Sequence, residues 1–328
     1  MKAYKGFTKE MTCYGGFQYE GGKTYHEDNA KLCDHGFHAC EYPLDCFAYF
    51  PPAESVFHEV ELDGITDERE GDTKICGTDI KIGAKLDIAG LIKASFDYVK
   101  AHCKNNKEGG DCSALTGGDR SALIGGNWSA LTGGDKSALT GGDKSALIGG
   151  YGSALTGGDW SALTSGGWSA LTGGNKSALT GGDRSALTSG DRSALTGGDG
   201  SALTGGDWSA LTSGGWSALT GGNRSALTGG YGSALTGGDW SALTGGDWSA
   251  LTGGDRSAFA GGKATTMRGG KESTFKGDMW SVFACEIRDD EYRLIGMATA
   301  VVDGENIKPN TWYKCVDGEF VELEDTND

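Results

Sequence analysis

The chain has 328 residues, with 59 glycines, 4 prolines and a formal charge of −16, a composition that two or three ordinary domains would not produce. Residues 113 to 260 hold 11 Asp against 8 Lys or Arg, so most of the negative charge lies in the flanks. Neither a DNA-mimicking acidic rod nor a basic nucleic-acid surface is expected. Residues 1–18 contain no apolar stretch of signal-peptide length and nowhere do 18 apolar residues run together, so the expected setting is cytoplasmic with no membrane partner. Nine cysteines without a Cys-x-x-Cys pair are expected as reduced thiols.

Residues 1–86 read as a small α+β module, with a strand from Met1 to Phe7, a turn-rich stretch, a helix near Leu44 to Tyr49 and a strand from Val56 to Leu62. Residues 87–104 read as an amphipathic helix with Asp87 as N-cap and Ile88, Leu91, Ile92, Phe96 and Val99 at helical spacing. Such a helix is expected to cap the open first coil of the segment that follows.

From Ser113 to Ser281 the chain keeps an eight-residue beat, Ser-Ala-Leu-Thr-Gly-Gly-Asp-x over most of its length, for 21 steps without an insertion or deletion. A flexible Gly/Ser linker has no reason to hold Leu at every eighth residue, whereas a stack of small units does. In a strand, Ser and Leu share one face and Ala and Thr the other. Leu then faces inward with the small Ser hydroxyl beside it. The Gly-Gly pair is expected to turn the chain through positive φ, with the following Asp or Asn favouring the turn.

The variable eighth residue reveals the coil. Every second octad collects Trp128, Lys144, Trp160, Lys176, Arg192, Trp208, Arg224, Trp240 and Arg256, a column in which aromatic and cationic residues nearly alternate. The complementary column, Arg120, Lys136, Gly152, Trp168, Arg184, Gly200, Trp216, Gly232 and Trp248, collects the Gly variants. Two octads per turn sort the residue types and three would mix them. The expected fold is therefore mainly β: a β-solenoid of 16-residue coils over residues 105–284, two octapeptides per coil and roughly ten coils. Neighbours in the first column would stand one strand spacing apart, close enough for cation–π stacking of ~0.5–1 kcal/mol each. Toward its end Leu gives way to Phe259, Met267, Phe275 and Phe283, suited to plugging the bore. Residues 285–328 form a β-rich C-terminal cap with hairpin turns at Asp303-Gly304 and Asp317-Gly318.

The wording of these octads resembles the bacterial ice nucleation proteins. Ser-Ala-Leu-Ile-Gly-Gly-Tyr-Gly-Ser at 145–153 is close to that family's repeat, Asp183 to Thr188 is similar to its Arg-containing coils, and Ser281 through Tyr292 looks like its terminal cap. The resemblance implies a solenoid, assembly through the Arg-containing coils, and ice or ordered water as a partner of outward Thr rows. Here the outward pair is Ala-x-Thr where the family has Thr-x-Thr, and the row concerned comprises Thr116, Thr132, Thr140, Thr156, Thr164 and Thr172. The overall layout, with Lys2 to Phe7, Gly36 to Cys40 and Lys308 to Tyr313, also resembles octapeptide-repeat proteins frequent in phage genomes.

Catalytic signals are sparse. The octad serines face inward with no His partner, and the octad glycines follow no βαβ pattern. Cys33, His35, His38 and Cys40 fall within eight residues, but that spacing does not match a standard zinc pattern, so no metal is expected. Tyr4-Lys5-Gly6 and Gly36-Phe37-His38 are similar to the strands that flank the nicotinamide site in ADP-ribosyltransferase-type folds, without that family's Arg or His and with Glu59 and Glu61 as alternative carboxylates. The sequence thus points to a scaffold that is not an enzyme and needs no cofactor. It would display Trp/Lys/Arg and Thr ladders for self-association or for docking an unidentified protein. An ice-binding surface and an N-terminal transferase module are the alternatives.

Overall fold

A computed structural model describes residues 1–68, 73–102 and 109–323, without the side chains of 89 and 99–102. Val99 and the expected helix end at 103–104 therefore lie outside the described side chains and residues. The chain divides into two compact units, Met1–Gly166 with Leu171–Thr180 and Arg192–Ala194, and Gly167–Ala170 with Gly181–Asp191 and Leu195–Asp328.

The first unit opens with a module built on one six-stranded sheet. Its strands are β1 (Lys2–Thr8), β2 (Thr24–His26), β3 (Phe37–Cys40), β4 (Ser55–Asp63), β5 (Lys74–Gly77) and β6 (Asp79–Leu86), in the order β2-β6-β4-β1-β3-β5. Central β1 is buried from Ala3 to Phe7, which is why it lacks the clean alternation of a half-exposed strand. The expected strands at Met1–Phe7 and Val56–Leu62 are β1 and β4. The helix expected near Leu44 is a six-residue 3₁₀ turn, Pro43–Ala48, opened by proline and too short for an α-helix. After it, α1 (Ile88–His102) begins as the sequence suggests, with Asp87 Oδ1 accepting the Gly90 N–H at 2.7 Å.

The placement of α1 differs from expectation. Rather than sealing the first coil, it runs across the strands Ala130–Thr132, Ala146–Ile148, Ala162–Thr164 and Ala178–Thr180, burying Leu91 and Ile92. The physical reason is the outward alanine of each octad. A row of methyl groups makes a shallow apolar strip on which a helix can lie closely.

The repeats form β7 (Ala114–Thr116) through β28 (Val282–Arg288), two strands to a coil and about eleven coils. Odd-numbered strands lie in one parallel sheet and even-numbered strands in the other. The register is sixteen residues, as in Ala186↔Ala202, Leu187↔Leu203 and Thr188↔Thr204. Leucines from Leu131 to Leu251 are buried between the sheets, each contributing about 1.5–3 kcal/mol. Beside them Ser225 Oγ donates to Gly206 O at 3.2 Å and Ser241 Oγ accepts the Ser225 N–H at 3.3 Å, a ladder that repeats in most coils and satisfies hydroxyls that would otherwise be buried without partners.

The corners are built differently from the sequence reading. No octad Gly-Gly pair takes positive φ; the left-handed residue is the eighth, with φ 60° at Trp208 and 57° at Arg224. Glycine is required for space. A Cβ on Gly221 would stand 2.8 Å from Ser225 Cβ, and one on Gly222 would strike Asp207 Oδ1. That carboxylate also does more than shape its own turn, because Asp207 Oδ1 accepts the Asn223 N–H of the next coil at 2.7 Å, and Asn223 Oδ1 accepts that of Asp239 at 2.8 Å.

At the far end Phe259, Met267, Phe275 and Phe283 are all fully buried, with the Phe259 and Phe275 rings stacked at 5.1 Å. The sheets are finished by antiparallel strands: β29 (Leu294–Val301) on β28, and β30 (Trp312–Val316) followed by β31 (Glu319–Glu322) on the odd-strand sheet. Asp317-Gly318 forms the expected two-residue hairpin turn, both residues at positive φ. Asp303-Gly304 does not form a hairpin. It lies between β29 and β30, which belong to different sheets, and Asp303 Oδ1 accepts the N–H groups of Glu305 and Asn306 at 2.9 Å. Among the described residues no helix is long and apolar enough to cross a membrane.

Candidate functional site

In the first unit the Trp/cation column is already in use. Asp45, fully buried at the 3₁₀ turn, pairs with Lys144 Nζ at 3.1 Å and accepts the Thr73 N–H and hydroxyl at 2.9 and 2.7 Å. The same ammonium lies 4.8 Å from the Trp128 ring, 5.5 Å from Trp160 and 5.8 Å from Tyr42, so it sits in an aromatic cage closed by a carboxylate. Tyr42 packs on Trp128 at 5.5 Å and its hydroxyl donates to Trp160 O at 2.7 Å. Burial, aided by Asp45, pushes the Tyr42 phenol well above its ordinary range, keeping it a donor. Farther along, Lys176 stacks on Trp160 at 4.3 Å and Arg192 Nη1 donates to Ala48 O at 2.9 Å. Trp128, Lys144, Trp160 and Arg192 therefore form a seat for the chain's own N-terminal module, and the adjacent alanines Ala130, Ala146, Ala162, Ala178 and Ala194 are buried in one cluster with Tyr42 and Leu91.

In the second unit the same column carries on with different surroundings. Arg224 stacks on Trp208 at 4.6 Å and Arg256 on Trp240 at 4.8 Å, while Arg256 also reaches Glu272 at 3.0 Å. The expected stacking geometry is present, yet Trp240 is 53% exposed and the neighbouring Ala242 is exposed as well. The most exposed tryptophans are ones the sequence reading did not select. Trp168, Trp216, Trp248 and Trp280 of the complementary column are 55 to 72% exposed. For Trp216 the signal was the glycine in that column, since Gly232 puts no side chain beside the ring, which meets Tyr231 at 5.2 Å; Trp168 instead carries Arg184 at 4.9 Å.

The threonines do not form one row. Thr116, Thr132 and Thr164 belong to the odd-strand sheet, and Thr140, Thr156 and Thr172 to the even-strand sheet, where Thr140 stands opposite Thr156. Adjacent octads lie on opposite sheets, so a row steps by sixteen. Outward Ala and Thr on the even-strand sheet are exposed from Ala138 through Thr252.

Tyr4, Lys5 and Gly6 line a common cavity in the module with Gly36 and His38, of about 340 Å³. Neither candidate glutamate reaches it. Glu59 pairs with Lys2 at 2.8 Å and Glu61 with Lys81 at 3.2 Å. Cys33, His35, His38 and Cys40 are not gathered into a ligand set, and no metal-holding group of three or more His, Cys, Asp or Glu occurs among the described residues. Instead the Cys33 N–H donates to His38 Nε2 at 2.9 Å and the Cys76 thiol donates to His35 O at 3.2 Å. None of the described cysteines is joined in a disulfide.

Residues 1–94 match the family model of a domain of unknown function, DUF7666, a span that covers the module and the first turns of α1. No curated protein and no solved structure is significantly similar to the chain.

Proposed function

We propose that the protein is an assembly scaffold in which the bare stretch of the tryptophan column, Trp208, Arg224, Trp240 and Arg256, docks an acidic surface of a second copy. The observation that carries this reading is the seat in the first unit, where the same repeat chemistry holds a folded, acidic module through Lys144, Trp128 and Trp160. That module has nine Lys or Arg against sixteen Asp or Glu, so the charge complementarity available within the chain is available again between copies. Exposed tryptophans of this size and number also favour an interaction surface over a purely solvated one.

Sedimentation velocity and electron microscopy on the parent and on a Trp208→Ser/Trp240→Ser variant test the proposal. Concentration-dependent dimers or fibres that weaken with added salt and vanish in the folded variant are expected. A parent that stays monomeric over the whole concentration range overturns it.

A second reading rests on the even-strand sheet, whose exposed Ala and Thr rows repeat at one strand spacing along the face. Such an array can order water. Freezing of supercooled droplets raised above buffer, and lost when Thr188, Thr204, Thr220 and Thr236 become Ala, would support an ice-binding face; droplets that freeze with buffer exclude it.

A further inference from the structure

The cavity of the module holds chemistry that a scaffold does not use. At about 340 Å³ it falls within the size range of small-molecule sites. Lys5 on β1 lines it and is only 8% exposed. Its Nζ donates to His38 O at 2.7 Å and lies 5.7 Å from the ring centres of Phe7 and Tyr19. Among the described residues no Asp or Glu forms an ion pair with it. An ammonium buried beside a carbonyl and two rings keeps donors to spare and pays a desolvation cost that one neutral acceptor does not offset. Burial accordingly holds the Lys5 pKa below its ordinary value.

A second cation lines the same space. Lys74 Nζ is 2.9 Å from Cys33 Sγ and 4.9 Å from the Tyr49 ring. Burial, with the two neighbouring lysines, holds the His38 pKa below its ordinary value. Among the described residues the one carboxylate of the lining, Asp34, is held by Lys31 at 3.1 Å. The walls are aromatic, with the Tyr14 ring 5.6 Å from Phe50, and Gly6 is what admits Phe50, because a Cβ there would stand 2.6 Å from it.

We infer that this cavity binds a small planar anion, an aromatic ring bearing a carboxylate or a phosphate, with Lys5 and Lys74 as its charge partners and the tyrosine and phenylalanine walls against its ring. Charge-assisted bonds from two lysines supply the anion selectivity, and the aromatic walls add apolar contact.

Titration calorimetry on the full chain with benzoate, phenyl phosphate, inorganic phosphate and benzyl alcohol tests this. One of the two aromatic anions is expected to bind at a single site, about tenfold or more tighter than either inorganic phosphate or the neutral alcohol, and which one binds identifies the acid group. Lys5→Met and Lys74→Met should each weaken that binding by about tenfold or more. Lys74 is at the rim, so its variant reports on the site even where Lys5→Met disturbs the module's fold, as circular dichroism would reveal. Aromatic anions that bind no better than benzyl alcohol, or that bind the folded Lys74→Met variant as tightly as the parent, overturn the inference.

Discussion

Lys144 and Arg224 occupy the same slot of the same column, five coils apart, and the octads around them read almost alike. One is enclosed by Trp128, Trp160, Tyr42 and Asp45, and the other stacks on Trp208 and is exposed. The octad fixes how each coil is built and leaves open what its outer face will do. That is decided by the flanking sequence, here a 3₁₀ turn that presents Tyr42 and Asp45 and a helix that lies on the alanines.

Substitutions at matched positions measure how far apart the two regions are. Lys144→Ala leaves Asp45 buried without its cation and is expected to cost about 3–5 kcal/mol, read as a lower urea midpoint and faster amide exchange in the module; Arg224→Ala should stay within about 0.5 kcal/mol of the parent. Equal effects would mean that the module is not seated on the column. Next in size is Ala162→Asp, which places a carboxylate beneath α1 and is expected to destabilise by about 2–4 kcal/mol, against near neutrality for Ala242→Asp on the bare stretch. Thermal melts of the pair decide this. The corners should show no such asymmetry. Gly142→Ala and Gly222→Ala each force a methyl group onto the Asn127 or Asp207 side chain of the preceding coil, and both are expected to cost about 1–3 kcal/mol. A large difference between them in denaturant titration would show that the covering module also reinforces the corners. The smallest effect is expected for Trp216→Ser, whose ring touches little of its own chain, with stability unchanged within about 0.5 kcal/mol.

Much of the solenoid was legible in the sequence because its determinants are local and repeated. A buried Leu at every eighth residue, and a column that sorts Trp and Lys/Arg only when octads are taken in pairs, leave one coil length. The corner was misread for a physical reason: glycine serves both positive φ and close approach, and one sequence cannot tell which. Asp207 likewise looked like a turn residue, whereas its acceptor serves the next coil sixteen residues on. The role of Trp128 and Lys144 was hidden because their partners, Tyr42 and Asp45, lie about a hundred residues away in a segment with no repeat to mark them. In the module, Lys5 was legible only as part of a short motif, and its burial beside Lys74 depends on pairings among β1, β3 and β5 that no periodicity announces.

The sixteen-residue register also constrains how such a chain can change length over generations. Slippage that adds or removes sixteen codons inserts or deletes one whole coil and leaves every serine, aspartate and leucine ladder in step. Loss of a single octad keeps the reading frame and the repeat wording, yet it carries every downstream residue to the opposite sheet. The exposed Trp216 and Trp248 would then fall in line with Trp128 and Lys144. Copy number in this gene is therefore expected to drift in pairs of octads, a rule of inheritance written by backbone geometry rather than by the code.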